Sequence, residues 1–325
     1  MRVAVYGAGA VGGLLAARLA LSGHDVSVIA RGPHLDAMRA GGLTLRTADG
    51  DRHAKVFATD RPADCGPQDV LFVTVKAHSL SSIHGELAPL ISPDTLVAFA
   101  QNGMPWWYPV GLSSDKPRPP SVPIFALAEQ FLSVMRADQI VGAMVDASSE
   151  IIEPGLVHNN SPANRLALGL IDDRDSSALD GLRRAVAQAG YICAPVPAIR
   201  EAVWFKLLRN MTTSPIAMAT QNKSSIVKRD PLLGDIFLRM VDEAMSIARA
   251  AGYPMEGITS ADEMLAATTD VVPSLLQDFR LGRRVEIDAL LFAPLAFARV
   301  AGLATPAIDT MAAIVRRLAE DKQLL

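Results

Sequence analysis

Glycines 7, 9 and 12 have types and spacing that can do chemistry, because they close a strand-like run, RVAVY, and open a helix-like one, LLAARLALSG. In that setting G-x-G-x-x-G is the pattern of a dinucleotide-binding loop. Gly7 permits the tight turn, Gly9 lets backbone N–H groups approach a pyrophosphate, and Gly12 lets the helix pack close to the strand. The anion is then held at a helix N-terminus, where unpaired N–H groups and the macrodipole favour negative charge. Gly7, Ala8, Gly9, Ala10, Val11 and Gly12 are the expected cofactor-binding backbone.

The next strand, DVSVIA (25–30), ends where NAD enzymes carry an acid for the ribose 2′-OH. Ala30 and Arg31 hold that place, and the next acid along the chain is Asp36. A carboxylate repels a 2′-phosphate, whereas a guanidinium pairs with it bidentately. The sequence thus predicts NADPH/NADP+ as cofactor, with Arg31 on the 2′-phosphate. Lys76 ends the strand DVLFVTVK (69–76), and Asn102 follows the strand TLVAFA (95–100). Ligands of open α/β sheets bind beyond the carboxyl ends of the strands. Four polar features at four such ends predict one cofactor site that includes Lys76 and Asn102.

Later in the chain, Lys206, Asn210 and Ser214 recur at intervals of four beside an apolar stripe of Trp204, Leu207, Leu208 and Met211. Such a row suits a polar pocket wall and equally the wet face of an amphipathic helix; spacing does not choose between them. Pro215 leaves the helix geometry around Ser214 open. Ser274 and Glu286, in SLLQDFRLGRRVEID, are the remaining polar candidates.

The elements that must position these residues define an α/β fold. It is an N-terminal Rossmann-type doubly wound sheet followed by an all-α C-terminal domain, divided at 1–196 and 197–325. Between the first strands, 33–60 reads as a short helix and a polar hairpin turning at Asp49-Gly50, with His34 and His53 on the surface. Residues 139–170 read as strands extending the sheet with antiparallel pairing, and YICAPV (191–196) as a closing strand. From Ala198 onward the pattern is helical. The Pro-rich segment 104–123 carries Trp106, Trp107 and Tyr108, which either line an apolar substrate pocket or plug a gap between domains.

At 325 residues, half of them hydrophobic, the chain can bury two cores. A net charge of −3 leaves no electrostatic footprint for nucleic acid or an anionic membrane. Two cysteines make neither a disulfide framework nor a four-ligand metal site. Met1 leads straight into a strand, which is not a signal-peptide pattern, and the apolar stretch 290–315 is broken by Pro294, Arg299, Pro306 and Asp309. The expectation is a cytoplasmic protein with no membrane span and no metal.

Taken together, VYGAGAVGG, VTVKAH, QNGM, PGLVH, EAVWFKLLRN and SLLQDFRLGRRVEID resemble the ketopantoate reductase (2-dehydropantoate 2-reductase) family over nearly the whole chain. The resemblance implies NADPH-dependent reduction of a 2-keto acid to a 2-hydroxy acid, 2-dehydropantoate to pantoate, on the route to pantothenate. It implies that Lys206 is the catalytic proton donor and that Glu286 lies near the nicotinamide ribose and substrate. Asn102 would contact cofactor and substrate, Lys76 the cofactor, and Asn210 and Ser274 the substrate. Ser214, counted with the substrate-binding residues, and Ser224 depart from the asparagines common in the family, and Pro105-Trp106-Trp107 opens an insertion. These departures leave room for a bulkier keto acid or an imine as substrate. An alternative of another class is a silent NADPH-binding regulator, for which a proton donor has no use. The helical domain is a candidate homodimer surface.

Overall fold

The apolar β-branched runs form a seven-stranded sheet in the order β11-β8-β7-β6-β1-β2-β5. Its strands are β1 (Arg2–Tyr6), β2 (Asp25–Ile29), β5 (Phe57–Thr59), β6 (Val70–Val73), β7 (Leu96–Phe99), β8 (Ile140–Asp146) and β11 (Arg165–Leu170). All neighbours are parallel except β8 and β11. Strands β6 and β7 are buried at every position, as expected of a sheet covered on both faces. Register places Tyr6 opposite both Ile29 and Val73, and Val73 opposite Phe99. Four strands therefore end level, and the residues after them emerge along one edge.

This computed structural model describes residues 1–161, 163–267 and 270–325. They cluster into one unit of Met1–Gln101 with Leu127–Ile199, and another of Asn102–Ala126 with Arg200–Leu325. A single cut at 196/197 does not describe this division, because segment 102–126 goes with the helical unit.

In the first unit, α1 (Ala10–Leu21) and α2 (Gly32–Gly41) follow β1 and β2. The hairpin of β3 (Leu43–Thr47) and β4 (Gly50–Ala54) turns at Ala48-Asp49, one residue before the predicted Asp49-Gly50. It does not stand alone. With β9 (Ser149–Glu153) and β10 (Leu156–Asn159) it forms a second sheet, ordered β4-β3-β10-β9. Of the predicted 139–170 strands, β8 and β11 extend the main sheet with antiparallel pairing, while β9 and β10 belong to the small one. The small sheet packs on α1, and a Cβ on Gly13 would lie 2.7 Å from Val157 Cγ2. Helical turns occupy 77–90, including α3 (Leu80–Ile83), and α4 (Leu127–Leu132) and α5 (Ser177–Gln188) complete the unit. Residues 191–196 make only one bridge, Arg165 with Ile192, and no strand.

The second unit is helical among its described residues: α6 (Ile199–Thr220, its first residue counted with the other unit), α7 (Ser224–Arg229), α8 (Pro231–Ala250), α9 (Ala261–Ala266), α10 (Ser274–Arg280), α11 (Ala293–Val300) and α12 (Pro306–Asp321). Helix α6 runs on through Pro215. The sequence pattern also reads as a helix over 259–268; α9 covers less of it, opening on a Ser260–Glu263 capping box, and Thr268 lies outside the described residues. The Glu243 carboxylate of α8 accepts from the N–H groups of Ala307 and Ile308 at 2.8 Å each, capping α12.

Trp106, Trp107 and Tyr108 are core of this unit. Tyr108 stacks on Phe125 at 5.9 Å and meets Trp204 and Phe297 edge to face. Trp204 Nε1 donates to Tyr108 Oη at 2.9 Å, and Arg200 Nε to the Tyr108 carbonyl at 2.9 Å. Of the two readings of these aromatics, filling prevails, but inside the helical unit.

Candidate functional site

The glycine loop is built by close approaches. Gly7 has φ +103°, and a Cβ on it would sit 2.7 Å from Val75 Cγ1. A Cβ on Gly12 would lie 2.0 Å from the Gly7 carbonyl oxygen and 2.3 Å from Thr74 Oγ1. Thr74 Oγ1 in turn donates to the Gly7 carbonyl at 2.5 Å, fixing the turn from the next strand. A Cβ on Gly9 would meet nothing within 4 Å, and this residue caps α1 without a side-chain hydrogen bond or an acid in the first turn. The N-terminal N–H groups are thus left for an anion.

Above the loop lies a cleft of about 320 Å³, lined by Tyr6, Gly7, Ala8, Gly9, Ile29, Ala30, Arg31, His34, Val75, Ser79, Ser82, Ile83 and Ile151. Gly7, Ala8, Gly9 and Arg31 are brought together in its lining, whereas Ala10, Val11 and Gly12 form the start of α1 and are not in it. Lys76 follows the lining residue Val75 and is half-buried, though it is not itself in the wall. An open Gly9, an uncapped helix start and an exposed guanidinium fit the diphosphate and ribose of a dinucleotide.

Two lining residues, and one residue paired with the lining, escape sequence reasoning. His34 is not a free surface residue: Gly155 N–H donates to its Nδ1 at 2.9 Å, and burial holds its pKa below the ordinary value, with the Ala8 carbonyl opposing. Ile151 brings the small sheet into the wall. Glu86, from the turn after Ile83, accepts a hydrogen bond from Tyr6 Oη and lies 3.7 Å from Arg31 Nη2. No local pattern announces these contacts; Tyr6 and Glu86 are 80 positions apart.

The helical unit carries the other candidates. Lys206 and Asn210 are half-buried and Ser214 is 5% exposed, so their shared face of α6 is not a wet one. Asn102 precedes Gly103, whose φ is +83° and whose Cβ would fall 2.7 Å from Ala289. Met104 N–H donates to the Ala289 carbonyl at 2.8 Å. The turn after Asn102 therefore docks on the helical segment that follows Glu286, itself 9% exposed. Ser274 is exposed at the start of α10. The Ser224 hydroxyl donates to the Val271 carbonyl at 3.1 Å, tying α7 to the segment before Ser274.

Two family models match: ketopantoate reductase PanE/ApbA over residues 3–106, and the C-terminal part of ketopantoate reductase PanE/ApbA over residues 198–319. A 2-dehydropantoate 2-reductase of Mesorhizobium japonicum is 34% identical, with 99% of each chain covered. The chain belongs to the ketopantoate reductase family. Among solved structures, a Ralstonia solanacearum MolK2 protein provisionally named a ketopantoate reductase is 33% identical, with a TM-score of 0.89 over 100% of this chain and 99% of that one. D-mandelate dehydrogenase solved with NADH and anilino(oxo)acetate shares the fold, with a TM-score of 0.84 at 18% identity and full coverage of both chains. As a ketopantoate reductase family member the protein is an oxidoreductase of CH–OH groups that uses a nicotinamide cofactor. No helix among the described residues is long and apolar enough to cross a membrane. Among them, no group of three or more His, Cys, Asp or Glu could hold a metal.

Proposed function

We propose that the protein reduces 2-dehydropantoate to pantoate with NADPH, Lys206 supplying the proton. The observation that carries this is Lys206 itself, half-buried at i, i+4 and i+8 spacing with Asn210 and Ser214 in a chain whose full length matches a 2-dehydropantoate 2-reductase. Bound nicotinamide supplies the hydride to the carbonyl carbon. The Lys206 ammonium stabilises the developing alkoxide and gives up its proton to it. Asn210, Ser214 and Ser274 orient the keto acid. Asn102 and Glu286, on segments joined through the Gly103–Ala289 contact, orient cofactor and substrate. Gly7 to Gly12 and Lys76 hold the diphosphate end, and Arg31 the 2′-phosphate.

The preference for NADPH rests on Arg31, an exposed guanidinium just past the C-terminal end of β2, where no acid stands. The accompanying proposals are a cytoplasmic location and a homodimer through the helical domain, the latter checked by light scattering. Oxidation of NADPH across a panel of 2-keto acids tests the central reading. 2-Dehydropantoate should give the highest kcat/KM; a bulkier keto acid or an imine exceeding it would transfer the assignment to that substrate.

A further inference from the structure

We propose that Glu86 sets the balance between NADPH and NADH in the cofactor cleft, as an acid delivered from outside β2. This rests on the reading of Arg31 as the 2′-phosphate ligand and adds a second, opposing determinant to it.

Arg31 is 75% exposed at its side chain, and the Glu86 carboxylate lies 3.7 Å from it. Tyr6 Oη donates to that same carboxylate. Tyr6 is only 3% exposed and belongs to β1, so its hydroxyl is a fixed anchor rather than a roaming partner. Burial, and the bond to the Glu86 carboxylate, push the Tyr6 phenol well above its ordinary pKa, so it stays a donor throughout the working range. Tyr6 and Arg31 both line the cleft, as do Ser79, Ser82 and Ile83 in the turns leading to Glu86. The carboxylate is thereby held at the rim where a cofactor 2′ substituent meets Arg31.

The chemistry of the two cofactors there is opposite. A ribose 2′-OH can donate to a carboxylate, the role that an acid at the end of β2 plays in NAD enzymes. A 2′-phosphate must draw Arg31 away from Glu86 and lie close to a like charge. Arg31 thus favours NADPH while Glu86 favours NADH, and the discrimination is narrower than an arginine alone would give. An exposed ion pair contributes little to folding, so selection of ligand is the larger effect open to this pair.

Dissociation constants of NADPH and NADH, read from reduced-nicotinamide fluorescence, test the proposal on wild type, Glu86→Gln, Tyr6→Phe and Arg31→Ala. Glu86→Gln should tighten NADPH by about five-fold, the size of one screened like-charge contact, and loosen NADH. The NADPH gain should shrink in 1 M salt, where charges are screened within roughly 3 Å. Tyr6→Phe should move the ratio the same way by less, because the carboxylate loses its anchor. An unchanged NADPH-to-NADH ratio in Glu86→Gln, with Arg31→Ala losing its preference for NADPH, overturns the Glu86 role and leaves the Arg31 reading standing. A preference for NADPH that survives in Arg31→Ala overturns the reading beneath it.

Discussion

Gly12 is tightly confined, since a single added methyl would overlap both the Gly7 carbonyl and the Thr74 hydroxyl that fixes it. Overpacking of this kind costs about 1–3 kcal/mol. We expect Gly12→Ala to weaken NADPH binding by at least about ten-fold, the equivalent of 1.4 kcal/mol, measured by fluorescence titration. Unchanged affinity would remove the loop from the cofactor site. This glycine was legible in the sequence because its constraint is local, one strand, one turn and one helix. The place of Arg31 just past the end of β2 was legible for the same reason. Its counter-ion Glu86 was not, because the contact is made through β1, far along the chain.

At the scale of elements, the small sheet is the feature sequence reading placed incompletely. The hairpin around Asp49 follows from its turn residues, but which other strands join it depends on the face of α1 that Gly13 leaves open. His34 accepts from Gly155 N–H of this sheet and lines the cofactor cleft together with Ala8. Its Nδ1 must be unprotonated to accept that bond. A ring whose folded pKa lies below its unfolded value binds fewer protons folded than unfolded. Its stability contribution is therefore complete above the ordinary histidine value and is lost as pH falls through the folded one. Thermal scans should show wild type losing stability below about pH 6.5 more steeply than His34→Asn, whose amide oxygen accepts at the Nδ1 position without titrating. His34→Leu should raise the KM for NADPH with little change in kcat, and His34→Asn should restore it. Equal behaviour of both variants would make the residue mere filling.

On the scale of the whole chain, the division into a sheet unit and a helical unit was legible from the change of period near residue 198. The return of segment 102–126 to the helical unit was not, because a Pro-rich run has no period to read. Burial of Trp106, Trp107 and Tyr108 decides it. Truncating a fully buried aromatic costs about 3–5 kcal/mol, so Trp107→Ala should lower the Tm by several degrees, read by circular dichroism. No change would mean that this segment does not anchor the unit. Lys206 carries the proposed chemistry, and single-turnover reduction of 2-dehydropantoate by Lys206→Ala, with NADPH affinity measured alongside, tests it most directly. The rate should fall by about 10²-fold or more while NADPH binds as in wild type; reduction at the wild-type rate would contradict it.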